Sequence, residues 1–545
     1  IMHRMPMSGI FELFVPGVEA GTHYKYEIKV KGGEVLLKAD PYGNSADHDP
    51  EGASVVADVS AFQWNDGDWM KERHRFDDRK QPVSIYETSL EEWKSAEELV
   101  EFLAEEDFTH VELHPVMEYL DDITGGYSTY AYYAPTSRFG SVADFQKLVD
   151  ELHQAGIGVI LDWTPAQFPR YASGLEKFDG TPLYERQNPA EAIHPFWGTL
   201  LYNYGSPMVK DFLISNACFW AEVYHADGLR MDDVDAMLYL DYGKNDGQWV
   251  ANKYGGNQNL EAIEFFKHLN TVVLGRNHGT VMIAEESTAW PMVTGDAEKD
   301  GLGFSLKWNM GWMNDFLEYM KLDPYFRKFN HNKMTFSMSY AYSERYVLVL
   351  SHDEVVHLKC SMLEKMPGEL PDKFKNLKAA YSFMNCHPGK KLLFMGQEFG
   401  QLREWSEERE LDWFLLNEEP HKELQNYVHD LLTIYKKYPA LYAGDNNPEG
   451  FEWINADDGD RSIFSFVRKS PTKRNNILYI VNFTPVDRPD YRVGVPKKKQ
   501  YKLIMDENGL LEQPKTFKAV KQKCDNREFS FAYPLPAYGV AIFTY

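Results

Sequence analysis

Three acidic signatures, each closing an apolar stretch, constrain this chain more than anything else in it: Asp227-Gly228-Leu229-Arg230-Met231-Asp232, Ala284-Glu285-Glu286 and Ser351-His352-Asp353-Glu354. Strands that end in carboxylates, at intervals long enough for a helix between them, are what a (β/α)8 barrel presents at the carboxyl mouth of its sheet, where such enzymes do chemistry. An Arg two residues before the first acid and a His directly before the third suit displacement at an anomeric carbon. Asp232 is then the candidate nucleophile.

The surrounding pattern supports a barrel. Strand candidates fall at 83–87, 110–113, 159–162, 228–232, 281–285, 304–309, 346–351 and 391–395, the eight that close a (β/α)8 sheet. Between them the period becomes helical. Ser95-Ala96-Glu97-Glu98 reads as a capping box ahead of a face made by Leu99, Phe102 and Leu103, and Ser141 with Asp144 opens a helix carrying Phe145, Leu148, Val149 and Leu152. The interval 163–208, rich in Pro, Gly and aromatics, reads as an excursion over the mouth. Residues 1–58 alternate like strands with Gly and Pro punctuation, 59–82 form a polar linker, 83–439 the barrel, and 440–545 return to short alternating runs. The expected fold is therefore α/β, a (β/α)8 TIM barrel flanked by an N-terminal β-sandwich fragment and a C-terminal β-sandwich.

Composition excludes several partners. Of 545 residues, 57 are Lys or Arg and 82 Asp or Glu, a net charge of −25, and there is no basic block, so a nucleic-acid partner is not expected. No segment has the length and apolarity of a membrane span. Cys218, Cys360, Cys386 and Cys524 are scattered without metal-ligand or disulfide spacing, so no metal is expected and a reducing cytoplasm is. The numbering opens at Ile1-Met2-His3, inside what reads as a structural element, which leaves open what precedes it.

Retaining chemistry at a glycosidic bond needs a carboxylate nucleophile and a carboxylic acid about 5–5.5 Å apart. Asp232 and Glu285, at the ends of adjacent strands, suit those roles. Arg230 lies on the same strand face as Asp232 and would hold it ionised, whereas the proton donor Glu285 needs a raised pKa. Asp353 adds a third acid for sugar hydroxyls and the strained ring. Trp308 and Trp312 offer flat faces to a glucan, although a packed aromatic cluster accounts for them equally well. His225 and His387 lack any ligand spacing and read as structural.

These segments resemble those of the α-amylase superfamily, glycoside hydrolase family 13. Asp162-Trp163-Thr164-Pro165-Ala166, residues 228–232, 283–288 and 350–357 occur in that superfamily's order and spacing. Within it, Ala134-Pro135-Thr136-Ser137-Arg138-Phe139-Gly140, Gly255-Gly256-Asn257-Gln258-Asn259, Lys307-Trp308-Asn309-Met310-Gly311-Trp312-Met313 and Phe394-Met395-Gly396-Gln397-Glu398-Phe399-Gly400 resemble strings of the bacterial glycogen branching enzymes. The match runs over almost the whole chain. It implies transfer of an α-1,4-glucan segment to a 6-hydroxyl of glycogen or amylose by a monomer without cofactor. It assigns Asp232 as nucleophile, Glu285 as acid/base and Asp353 as transition-state stabiliser. Tyr127, Arg230 and His352 would line the sugar subsite, with Asp162, Gln167 and Trp308 as further substrate-side positions.

The chain departs from that pattern near the site. Gln167 replaces a His, Gly125 a Trp, Ser89 a His and Leu358 a Gly, while Asp233 and Asp235 occupy small-residue positions. Strand alternation directs Asp233 away from Asp232; if it does not, its charge raises the pKa of the nucleophile. An α-amylase-type hydrolase, a 4-α-glucanotransferase and a weakly active or inactive glucan-binding paralogue are the other readings of the same scaffold.

Overall fold

The computed structural model describes residues 1–48, 52–121 and 124–545. At its centre lies a closed parallel barrel of β1 (Ser84–Thr88), β2 (His110–Leu113), β3 (Gly158–Trp163), β4 (Gly228–Met231), β5 (Val281–Ala284), β6 (Leu306–Trp308), β7 (Tyr346–Leu350) and β8 (Lys390–Phe394), each hydrogen-bonded to the next and β8 to β1. Every strand candidate falls on one of these, within two residues at either end. The strands are buried on both faces, which is why they read as near-continuous apolar runs. Polar exceptions cluster on consecutive strands: Glu87 on β1, its register partner Glu112 on β2, Asp162 on β3 and its partner Arg230 on β4.

Helices return the chain between strands. In α1 (Ala96–Glu106) the Ser95 hydroxyl accepts from the Glu98 N–H at 3.2 Å, but the Glu98 carboxylate accepts from the N–H of Lys94, one residue too early for the expected reciprocal box. In α2 (Val142–Gln154) the exchange is complete: the Asp144 N–H donates to Ser141 Oγ at 3.3 Å, and the Ser141 N–H donates to Asp144 Oδ2 at 2.7 Å.

Two excursions rise over the mouth. After β2, Met117–Tyr119 pairs with Thr129–Pro135 as an antiparallel ribbon whose connection carries Tyr127. After β3, Gln167–Phe168 pairs with Leu200–Leu201.

At the opposite end the polar segment 59–82 is docked rather than draped. It forms a helix, Gly67–Arg73. Trp69 Nε1 donates to Asp227 Oδ1 at 2.9 Å, and the buried His153 ring bridges Asp66 and Asp227 at 2.8 Å each. Asp227, the first acid of the 227–232 run, is thus a structural anchor beneath β4.

The C-terminal region is a sandwich of a six-stranded sheet, in the order β9 (Phe451–Asn455), β10 (Ile463–Arg468), β11 (Ile477–Asn482), β16 (Val540–Thr544), β13 (Gln500–Asp506), β14 (Gly509–Lys518), and a pair, β12 (Arg488–Val495) with β15 (Phe529–Leu535). Its own core includes Val493, Leu503, Phe531 and Phe543, whereas Phe464, Phe466 and Tyr479 face the barrel and join the central core. The N-terminal strands His23–Tyr24, Tyr26–Lys29, Val35–Lys38 and Ser54–Val55 form antiparallel pairs, tied to the barrel by Lys38 Nζ donating to the carbonyls of Ala172 and Glu176 at 2.6 Å. Among the described residues no helix is long and apolar enough to cross a membrane, and the four cysteines are unpaired.

Candidate active site

The ends of β3, β4 and β5 bring the expected groups together. Asp162 is level with Arg230, and Met231 with Ala284. The ladder runs one residue further, the Asp232 N–H donating to the Trp163 carbonyl and the Glu285 N–H to that of Met231, so Asp232 and Glu285 leave the barrel side by side.

The buried Arg230 guanidinium organises them. Nη1 lies 2.9 Å from Asp232 Oδ1 and 3.2 Å from Asp162 Oδ2, and Nη2 lies 2.7 Å from Glu285 Oε2. The Tyr127 hydroxyl donates to Asp162 Oδ2 at 2.6 Å. Trp308, weighed as a substrate platform, is fully buried with its ring 4.2 Å beneath the guanidinium carbon. It supports Arg230 by a cation–π contact instead of facing the mouth.

Electrostatics separate the two acids. Burial raises Glu285 most; Arg230 opposes it, but Asp232 and Asp353 add to the rise, and the group stands well above the carboxylate range. The direction of that shift suits Glu285 to the proton-donor role. Asp232 is itself pushed up to about 7, by burial first and by Asp233 second, against Arg230.

Asp233 does not point away. β4 ends at Met231, and Asp233 takes a left-handed backbone with φ 53° as the N-cap of α4 (Val234–Leu238), so strand alternation no longer applies. Its carboxyl, pushed up to about 7 by burial and then by Glu285 and Asp235, lies within the field of the site. Asp235 turns instead to the N–H and hydroxyl of Ser287 and to the Ala236 N–H.

The remaining expected residues surround this centre. His352 and Asp353 form the first turn after β7, with His352 Nε2 3.5 Å from Asp353 Oδ1. The Asp353 side chain is 42% exposed, the most open of the three acids. Gln167 sits on the excursion, its amide oxygen accepting from the Thr199 hydroxyl. Gly125 adopts φ 58°, and a Cβ there would stand 2.6 Å from Glu407 Oε1, so Glu407 fills space that a larger residue would claim. Ser89 caps a short 3-10 turn, and Leu358 is exposed with its N–H on Glu404.

Glu87, Glu112 and His114 had no role in the sequence reading. Glu87 Oε1 lies 2.5 Å from His352 Nδ1 and 3.1 Å from His114 Nε2. Glu112 is fully buried with both carboxylate oxygens lacking a hydrogen-bond partner among the described residues, and burial raises it well above its usual range. The signal for Glu87 was present, since it is another acid near the end of an apolar run. Among the described residues, Glu87, His114 and His352 are also the group whose ligand atoms cluster closely enough to raise a metal. However, two ligands of one tetrahedral zinc stand about 3.3 Å apart, and the 2.5 Å separation of His352 Nδ1 from Glu87 Oε1 is that of a hydrogen bond.

Comparison with known proteins agrees with this architecture. Residues 453–545 match the alpha amylase C-terminal all-beta domain, and residues 1–43 match carbohydrate-binding module 48, the isoamylase N-terminal domain. Among solved structures, pullulanase type I from Bacillus subtilis in complex with maltose superposes over 100% of this chain and 80% of its own, with a TM-score of 0.73 at 17% identity. Pullulanase from Bacillus acidopullulyticus covers 98% and 69%, also with a TM-score of 0.73. At that identity the likeness shows the fold. Sequence relatives are far nearer: the 1,4-alpha-glucan branching enzyme GlgB of Butyrivibrio fibrisolvens is 51% identical over 100% of this chain and 88% of its own length. That of Rubrobacter xylanophilus is 50% identical over 92% and 72%. At such identity along nearly its whole length, the chain belongs to the GlgB family of 1,4-alpha-glucan branching enzymes.

Proposed function

We propose that the chain cleaves α-1,4 linkages of glycogen-like or amylose-like glucans and rejoins the freed segment through an α-1,6 bond. The observation that carries this reading is the sharing of one guanidinium: Arg230 binds Asp232 at 2.9 Å and Glu285 at 2.7 Å, while burial raises Glu285 well above the carboxylate range.

Asp232 attacks the anomeric carbon as Glu285 protonates the departing 4-oxygen, and the C1–O4 bond breaks to leave a glycosyl ester on Asp232. Glu285, now ionised, takes the proton of an acceptor 6-hydroxyl. That oxygen displaces Asp232 from C1, so two inversions give net retention. Asp353 and His352 bind hydroxyls of the reacting sugar, Tyr127 and Asp162 hold Arg230 in place, and Gln167 reaches the sugar with its amide nitrogen. The four unpaired cysteines fit a reducing cytoplasm.

Incubation with amylose, followed by enzymatic debranching and chain-length analysis, tests the reading. New short side chains without a matching rise in reducing ends are expected. Reducing ends without branches would make the chain a hydrolase, and altered linear chain lengths without branches a 4-α-glucanotransferase.

A further inference from the structure

The side chain behind His352 is held by hydrogen bonds on both flanks. Glu87, fully buried on β1, accepts from His352 twice: from ring Nδ1 at 2.5 Å through Oε1, and from the backbone N–H at 3.1 Å through Oε2. On its other flank His114 places Nε2 3.1 Å from the same Oε1. The His114 ring is fixed in turn, lying flat against Phe394 with centroids 5.6 Å apart and edge-on to Trp405 at 5.7 Å. Glu87 has no exposed surface and cannot touch a sugar. Its effect must pass through His352.

Both ring nitrogens of His352 face carboxylates, Nδ1 toward Glu87 and Nε2 toward Asp353 at 3.5 Å. A neutral imidazole would set a lone pair against one of them. We infer that Glu87, braced by His114, is a positioning residue that keeps His352 aimed at the sugar with a hydrogen on each ring nitrogen. This rests on the proposed contact of His352 with the sugar.

Every charged group around the ring bears on this state. Burial disfavours the cation, but Glu87 and then Asp353 outweigh it and push His352 up to about 10, while Arg230 on β4 opposes them. Glu112 on β2 is raised well above its usual range by burial, which disfavours its charge, and Glu407 from the loop after β8 adds a lesser attraction. Glu87 is the largest favourable contributor, so its neutralisation has a definite sign. With Glu87→Gln the His352 pKa falls, and the ring loses its proton as pH rises through the neutral range.

The test follows kcat/KM against pH for the wild type, Glu87→Gln, His114→Leu, His114→Gln and His352→Gln, together with the ring nitrogen chemical shifts of His352. The wild-type ring is expected to stay doubly protonated to about pH 9. Glu87→Gln is expected to gain an alkaline limb, its kcat/KM relative to wild type falling about tenfold between about pH 6 and about pH 8.5. His114→Leu is expected to lower kcat by several-fold, and His114→Gln, which keeps a donor to Glu87, to restore it. A wild-type ring that titrates near its ordinary pKa overturns the inference, and it does so even if Glu87→Gln fails to fold. An unchanged pH profile in a folded Glu87→Gln overturns it as well. If His352→Gln leaves kinetics unchanged while its ring in the wild type stays doubly protonated, the sugar contact of His352 is what fails.

Discussion

Arg230 donates to Glu285 Oε2 at 2.7 Å, so the residue that steadies the nucleophile also grips the acid. A guanidinium would ordinarily favour the ionised form of both neighbours. Burial of two adjacent carboxyls works against that and raises both, which suits Glu285 to the acid role while Arg230 favours the ionised Asp232.

This division of roles predicts different defects. Asp232→Asn keeps the shape and an acceptor for Arg230 but cannot form a stable ester, and branching should fall by at least about 10³-fold. Glu285→Gln should fall similarly with glucans, yet a substrate with a good leaving group, such as a glucosyl fluoride, needs no protonation and should still glycosylate Asp232. Full branching activity in Asp232→Asn would sink the mechanism.

The position of Trp308 predicts a stability defect rather than a binding one. Its ring is buried beneath Arg230, so Trp308→Leu removes packing and a cation–π contact worth about 2–4 kcal/mol together. The melting temperature and kcat should drop as Arg230 loosens, with KM for amylose nearly unchanged. A large rise in KM at constant kcat and melting temperature would mean that the ring meets glucan after all.

What the sequence disclosed and what it hid have physical reasons. The barrel was legible because strands buried on both faces are mostly apolar and several end in acids, and Asp232, Glu285 and Asp353 stood at those ends. The ribbon Met117–Tyr119 with Thr129–Pro135 was hidden because it too is buried on both faces and shows no alternation. Glu87 and His352 are 265 residues apart in sequence, and only closure of the barrel unites them. Asp233 was misjudged because strand geometry was extended two residues beyond Met231, across the point where the backbone turns left-handed. Trp308 could be read either way until Arg230 was seen above it.

Gln167 offers a narrower test. Thr199 occupies its amide oxygen, so its amide nitrogen is the donor left for a sugar, and it cannot carry charge. Gln167→His, with one ring nitrogen accepting from Thr199 and the other donating to the sugar, is expected to raise kcat by about two- to tenfold. Thr199→Val frees the Gln167 amide to rotate and should lower it. An unchanged rate in Gln167→His would show that the amide already serves.

Burial first, and the carboxyl of Asp233 second, set the acid side of the pH profile. Asp232 attacks only when ionised, so with its pKa pushed up to about 7 activity should be full above that value and fall as pH drops through it. Asp233 is the second-largest cause of that rise, after burial, and Asp233→Asn removes its charge. The choice of Asn is deliberate, because the left-handed backbone at φ 53° is one that Asn tolerates better than Ala. Burial persists in the variant, and Asp233 itself stands at about 7 in the wild type and is partly protonated there, so the acid limb of kcat/KM should move down by less than about one pH unit. The gain in rate should lie on the limb itself, close to pH 7, and vanish both well above it, where both forms of the enzyme have an ionised nucleophile, and well below it, where Asp233 is already protonated. A limb that stays in place would show that burial alone raises Asp232, and a limb that moves upward would show that Asp233 stabilises the ionised nucleophile.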